Sequence, residues 1–252
     1  MTSLEKYLKD SRNPVYSILF VIPLFLFYEI LALVLHTFHI TIFRNGADVM
    51  LRSISSLAGM DQFPILVFFI LIILTVFAGI YKKEKNITIN MAYFPIMLLE
   101  SILYAVIMGS VGVFLTDIVL IMHSYVSLTI SPPTTNFWVN TMLALGAGFY
   151  EGLLFRLILI ELLLIISKSV YSKPSKAVIF NANAIFALVV ASLIFSYNHY
   201  IGVYGDAFEV SSFTFRIVSG VYLSVIYLGR GFGVSAWSHA LYDLFLLNGL
   251  MR

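Results

Sequence analysis

Seven stretches of this chain are apolar over about the length that a bilayer demands. They run Val15–Leu35, Pro64–Tyr81, Met91–Leu115, Phe137–Ile166, Ala177–Tyr197, Phe213–Leu228 and Val234–Leu250. A helix rises 1.5 Å per residue, so about 20 residues cross a hydrocarbon core about 30 Å thick. Within that core every backbone N–H and C=O must find its partner inside the segment, which a helix achieves. The expected fold is all-α, a polytopic membrane bundle of about seven transmembrane helices. Composition agrees, since 60% of the 252 residues are hydrophobic and 11% are charged, far from the balance of a soluble domain. Val119–Ile130 is apolar but short and reads as an interfacial or re-entrant piece.

Lys and Arg concentrate in cytoplasmic loops of membrane proteins. Seven alternating spans put Lys6, Lys9, Arg12, Lys82, Lys83, Lys85, Lys168, Lys173, Lys176 and Arg230 on one side. Only Arg44, Arg52, Arg216 and Arg252 fall on the other. This bias predicts a cytoplasmic N-terminus. The polar start "MTSLEKYLKDSR" precedes a long apolar run without a small-residue cleavage site, so the first span reads as retained. A net charge of +2 gives no reason to expect nucleic-acid binding, and the absence of cysteine excludes disulfides, thiolate zinc sites and a Cys nucleophile. No linker or repeat divides the chain, which reads as one integral membrane domain over 1–252. Its setting is the lipid bilayer, with a prokaryotic plasma (inner) membrane as the expected location.

Ionisable residues inside spans are costly and mark function by default. Here they are Glu29, Glu100, Glu151, Arg156, Glu161, His239 and Asp243, with His199 at the outer end of the fifth span. His239 and Asp243 are four apart and share a helical face, as do Phe195 and His199. Glu151 and Arg156 are five apart, about 140° around an α-helix, so both cannot point into one cavity. Arg156 then braces from behind. Glu29 and Glu100 fit no motif and read as structural.

The elements "EGLLFR", "FSYNH" and "HALYD" together resemble the CPBP intramembrane proteases, which include the CAAX-processing endopeptidases. That family shows E-E-x-x-x-R on one helix, F-x-x-x-H on the next and H-x-x-x-N or H-x-x-x-D on a later one. The resemblance covers about 146–243, within an expected catalytic core of about 137–250. It implies an endopeptidase acting on a membrane-associated peptide or protein, with Glu151, His199, His239, Asp243 and Arg156 as its catalytic set. One position departs from the pattern: the family's second glutamate is Gly152 here.

Amide hydrolysis needs an activated water, a stabilised oxyanion and a proton for the leaving amine. Glu151 suits a general base that later acts as an acid, with His199 sharing the water. His239 can donate to the developing oxyanion, with Asp243 orienting it. Glu151, His199 and His239 also make a plausible zinc set; no H-E-x-x-H pair fixes two ligands on one helix, which favours the metal-free chemistry. Two other classes compete. One is a catalytically inactive pseudoprotease acting as a membrane scaffold, which Gly152 favours. The other is a transporter using the carboxylates as a proton relay, against which the spans show no inverted repeat.

Overall fold

The structure, a computed structural model, describes residues 2–40, 44–57, 59, 63–85, 88–121, 136–170, 182–202 and 205–250. Nine helices and no strand occur among them. In chain order these are α1 (Ser3–Ser11), α2 (Pro14–Thr37), α3 (Gly46–Leu57), α4 (Phe63–Lys85) and α5 (Tyr93–Ile121). There follow α6 (137–170), α7 (Ala182–Asn198), α8 (Val210–Arg230) and α9 (Phe232–Leu247). Helix α6 is continuous but changes its winding: Phe137–Gly146 and Glu161–Val170 are α-helical, and Ala147–Ile160 between them is π-helical.

Each of the seven apolar runs carries a helix. Of these, Pro14–Thr37, Tyr93–Val119 and Val210–Arg230 are long and apolar enough by themselves to cross a membrane, and Ala182–Asn198 is a shorter apolar helix. Residues 177–181 of the expected fifth span and 122–130 of the expected re-entrant piece lie outside the described residues.

Helices α1 and α3 were not anticipated. Helix α1 begins with a capping box, Thr2 accepting from the Glu5 N–H while the Glu5 carboxylate accepts from the Thr2 N–H. It is anchored by two arginines reaching across the fold. Arg12 donates to the Leu228 carbonyl at 2.7 Å, and Arg230 donates to the Leu8 carbonyl and Ser11 hydroxyl at 2.9 and 2.8 Å. Arg230 also pairs with Glu100, which accepts from the Tyr7 hydroxyl at 2.7 Å. Glu100 therefore has its partners in the packing of α1, remote from any motif residue. Helix α2 starts at Pro14 behind an Asn13 cap and runs on through Pro23.

Helix α9 is the hub, packed against α2, α5, α6 and α8. Its two sides bury into two apolar clusters. Phe149, Tyr150, Phe25 and Phe232 belong to one; Tyr16, Met97, Met108, Leu223 and Leu241 belong to the other. Small residues permit the close approach of α6 to α9. A Cβ on Gly148 would lie 2.5 Å from the Ala236 carbonyl oxygen and 2.6 Å from the Ala240 Cβ, so only glycine fits there. Between membrane helices such contact supplies the packing that the hydrophobic effect does not.

Candidate active site

Three helices bring the motif residues together. Glu151 sits in the π-helical part of α6, His199 just beyond the end of α7, and His239 and Asp243 one turn apart on α9. The Glu151 carboxylate lies between the two imidazoles: Oε1 is 4.0 Å from His199 Nε2, and Oε2 is 3.8 Å from His239 Nε2. His239 Nε2 also stands 3.4 Å from Asp243 Oδ2. All four line a cavity of about 210 Å³, whose other walls include Phe195, Ser212, Arg216 and Tyr242. Glu151 and His239 are buried, whereas His199 and Asp243 are partly open to the cavity.

Hydrogen bonding sets the ring protons. His199 Nδ1 is 3.0 Å from the Phe195 carbonyl, which can only accept, so the proton belongs on Nδ1. Nε2 is left with its lone pair toward Glu151. At His239 two carboxylates face Nε2, which favours the proton there, and Nδ1 has no hydrogen-bond partner among the described residues. Phe195 joins the two histidines, its ring centroid 4.9 Å from His199 and 6.0 Å from His239, both edge-on.

Arg156 does not line the cavity. Its guanidinium carbon lies 4.2 Å from the Phe195 ring centroid, and the side chain is fully buried. Its two terminal nitrogens have no hydrogen-bond partner among the described residues. The reason it points away differs from the sequence expectation. In the π winding, with i→i+5 bonds, residues five apart return nearly into register, so the α-helical separation of 140° does not apply. What holds Arg156 out of the cavity is its stacking on Phe195.

Gly152 faces α9. A Cβ there would meet Phe232 at 3.1 Å, so the ring at the start of α9 occupies the space into which a second glutamate would project.

Two groups at the site were missed in the sequence. Arg216 lines the cavity, where it pairs with Asp206 and packs over Tyr200 at 5.2 Å. Asn45 precedes α3 and donates from Nδ2 to Glu151 Oε1 at 2.7 Å. The one local signal at Asn45 was its suitability as a helix cap; nothing in the pattern announced a partner 106 residues away.

No set of three His, Cys, Asp or Glu side chains among the described residues is arranged to hold a metal ion. Glu151, His199 and His239 meet instead as one carboxylate whose Oε1 is already engaged by Asn45.

The comparison with protein families matches residues 133–245 to the model described as type II CAAX prenyl endopeptidase Rce1-like. No curated protein and no solved structure matches the chain. The matched stretch contains all three motifs and every cavity residue from Glu151 to Asp243. The described residues around it are helical, and three of their helices are long and apolar enough to cross a membrane. Over residues 133–245, a little under half of its length, the chain is thus similar to the Rce1-like type II CAAX prenyl endopeptidases.

Proposed function

We propose that this protein is an intramembrane endopeptidase that cuts a peptide bond of a membrane-associated protein or peptide, using a water activated by Glu151. The observation that carries the reading is the Glu151 carboxylate held between His199 and His239 by three separate helices around one cavity. Both gaps, 4.0 and 3.8 Å, are too long for a direct hydrogen bond and of a size that a water can bridge.

The steps follow from the donors and acceptors. A water between Glu151 and His199 gives one proton to the carboxylate while its other hydrogen bonds to the His199 Nε2 lone pair. Its oxygen attacks the scissile carbonyl carbon. The oxyanion accepts from His239 Nε2–H, whose ring Asp243 keeps turned toward the cavity. Collapse of the tetrahedral intermediate expels the amine, which takes its proton from Glu151. Charge develops in a site from which bulk water is largely excluded, where fixed donors act most strongly. Arg156 stacks on Phe195 as a brace, and its buried positive charge also acts on Glu151, His239 and Asp243.

The wider setting belongs to the same proposal. Seven spans put the N-terminus in the cytoplasm of a prokaryotic plasma membrane, and hydrolysis proceeds without zinc. The Lys- and Arg-rich end contains α1 and Arg230; the cavity lining includes Ser212, Arg216 and Leu247, at the other ends of α8 and α9. A pseudoprotease scaffold is the rival reading, and Gly152 is the residue that favours it.

The test compares protein termini in membranes of cells making the wild type with those making Glu151→Gln. A set of termini formed only by the wild type supports the protease and names its substrate. Identical termini, with the variant folded and present, would overturn it in favour of the scaffold.

A further inference from the structure

We infer that Asn45, which lies outside the family-matched segment, is the positioning residue for the Glu151 carboxylate. The contact is short and buried: Asn45 Nδ2 donates to Glu151 Oε1 at 2.7 Å, and Asn45 is only 8% exposed.

Both ends of the Asn45 amide are fixed, so its orientation is not arbitrary. Oδ1 accepts the Ala47 N–H at 2.9 Å, and the Asn45 carbonyl accepts from Val49 N at 3.0 Å, which makes Asn45 the cap of α3. With Oδ1 turned to a donor, only Nδ2 remains for the carboxylate. A carboxylate can only accept, so the reverse arrangement would leave two oxygens in contact.

The cap itself is held rigidly. Asp48, in the first turn of α3, accepts from Tyr28 at 2.7 Å, from Arg44 at 2.8 Å and from Arg52 at 2.6 Å. Tyr150, beside Glu151, donates to Glu29 at 2.6 Å. The structural role expected for Glu29 is therefore to anchor the residue next to the base. A Cβ on Gly146 would come within 3.1 Å of the Asn45 Cβ, so α6 and the α3 cap are in contact without slack. Engaging Oε1 through Asn45 turns Oε2 to His239 and fixes the gap between carboxylate and imidazole. A misplacement of about 1 Å at such a group can cost about a hundredfold in rate. The functional unit then begins at Asn45, well before residue 133.

The role in catalysis rests on the protease reading; the contact itself does not. The test separates the two. Asn45→Asp is isosteric and remains a good cap, and it changes only the donor facing Glu151 into an acceptor. Melting temperatures are measured for full-length wild type, Asn45→Asp, Glu151→Gln and the double variant in phosphatidylethanolamine/phosphatidylglycerol nanodiscs. Asn45→Asp alone should lower the melting temperature by about 5 °C. In the Glu151→Gln background the pair is mirrored, the introduced amide donating to the introduced carboxylate, so there Asn45→Asp should cost almost nothing. An equal loss in both backgrounds overturns the contact.

Turnover is then followed on a peptide spanning the bond mapped by the terminus comparison. Asn45→Asp should lower kcat about tenfold or more with KM unchanged. Unchanged kcat overturns the positioning role. If Glu151→Gln makes the same termini as wild type, the protease reading fails, and Asn45 is reduced to an anchor whose bond the melting cycle still reports.

Discussion

Gly148 of α6 and Ala236 of α9 touch so closely that a Cβ on the glycine would lie 2.5 Å from the alanine carbonyl oxygen. Glu151 is three residues beyond Gly148, and His239 is three beyond Ala236, so this contact bears on the spacing of the Glu151 carboxylate and the His239 imidazole. Gly148→Ala should push the helices apart and cost about 1–3 kcal/mol, as overpacking does. Terminus formation should fall at least about tenfold although no reacting group is removed. A variant with wild-type melting and wild-type activity would show that the contact does not govern the site.

Arg156 is buried with two terminal nitrogens lacking partners among the described residues. A buried charge without a matching acceptor is a burden on stability, and apolar replacement of buried charges is often neutral or stabilising. Arg156→Met should melt at or above the wild-type temperature, yet lose activity because Phe195, which carries both histidines, loses its platform. If melting instead drops sharply while activity per folded molecule holds, Arg156 is a structural residue and no brace.

Gly152 and Phe232 should behave as a coupled pair. Gly152→Glu has to displace the ring that a Cβ would already meet at 3.1 Å, and is expected to cost about 1–3 kcal/mol. Adding Phe232→Ala opens room for the glutamate, so the double variant should be less destabilised than the two single losses added together. Additive losses in thermal unfolding would mean that the ring does not occupy that space.

Helix α1 is held by Arg230, Glu100 and Tyr7. Glu100→Ala leaves Arg230 without its carboxylate in a largely buried setting, a loss of about 3–5 kcal/mol for such pairs. Hydrogen exchange should speed up across Ser3–Ser11 before it changes in α9. Equal acceleration throughout the chain would count against a local clamp.

Metal removal gives the last prediction. The proposed hydrolysis routes no step through an ion. Dialysis against a zinc chelator should leave the rate of terminus formation within about twofold. Loss of activity that zinc restores would sink the metal-free mechanism.

The apolar runs, the three motifs and their order were legible in the sequence, because each depends on local pattern. Lipid imposes helices wherever about 20 apolar residues run together, and a fourfold spacing puts His239 and Asp243 on one face whatever surrounds them. What the chain could not disclose was anything requiring distant segments to meet. Amphipathic α3 was not anticipated because its stability comes from capping and from the tyrosine and arginines packed on Asp48. The π winding of α6 altered the angle between Glu151 and Arg156, and Phe195 rather than helical phase decided where Arg156 points. Asn45 reaches Glu151 only because Gly146 lets α6 come against the cap of α3. Local composition determined which segments are apolar helices and which ionisable residues lie within them. Close packing between helices, made by glycines at specific positions, decided which of them touch.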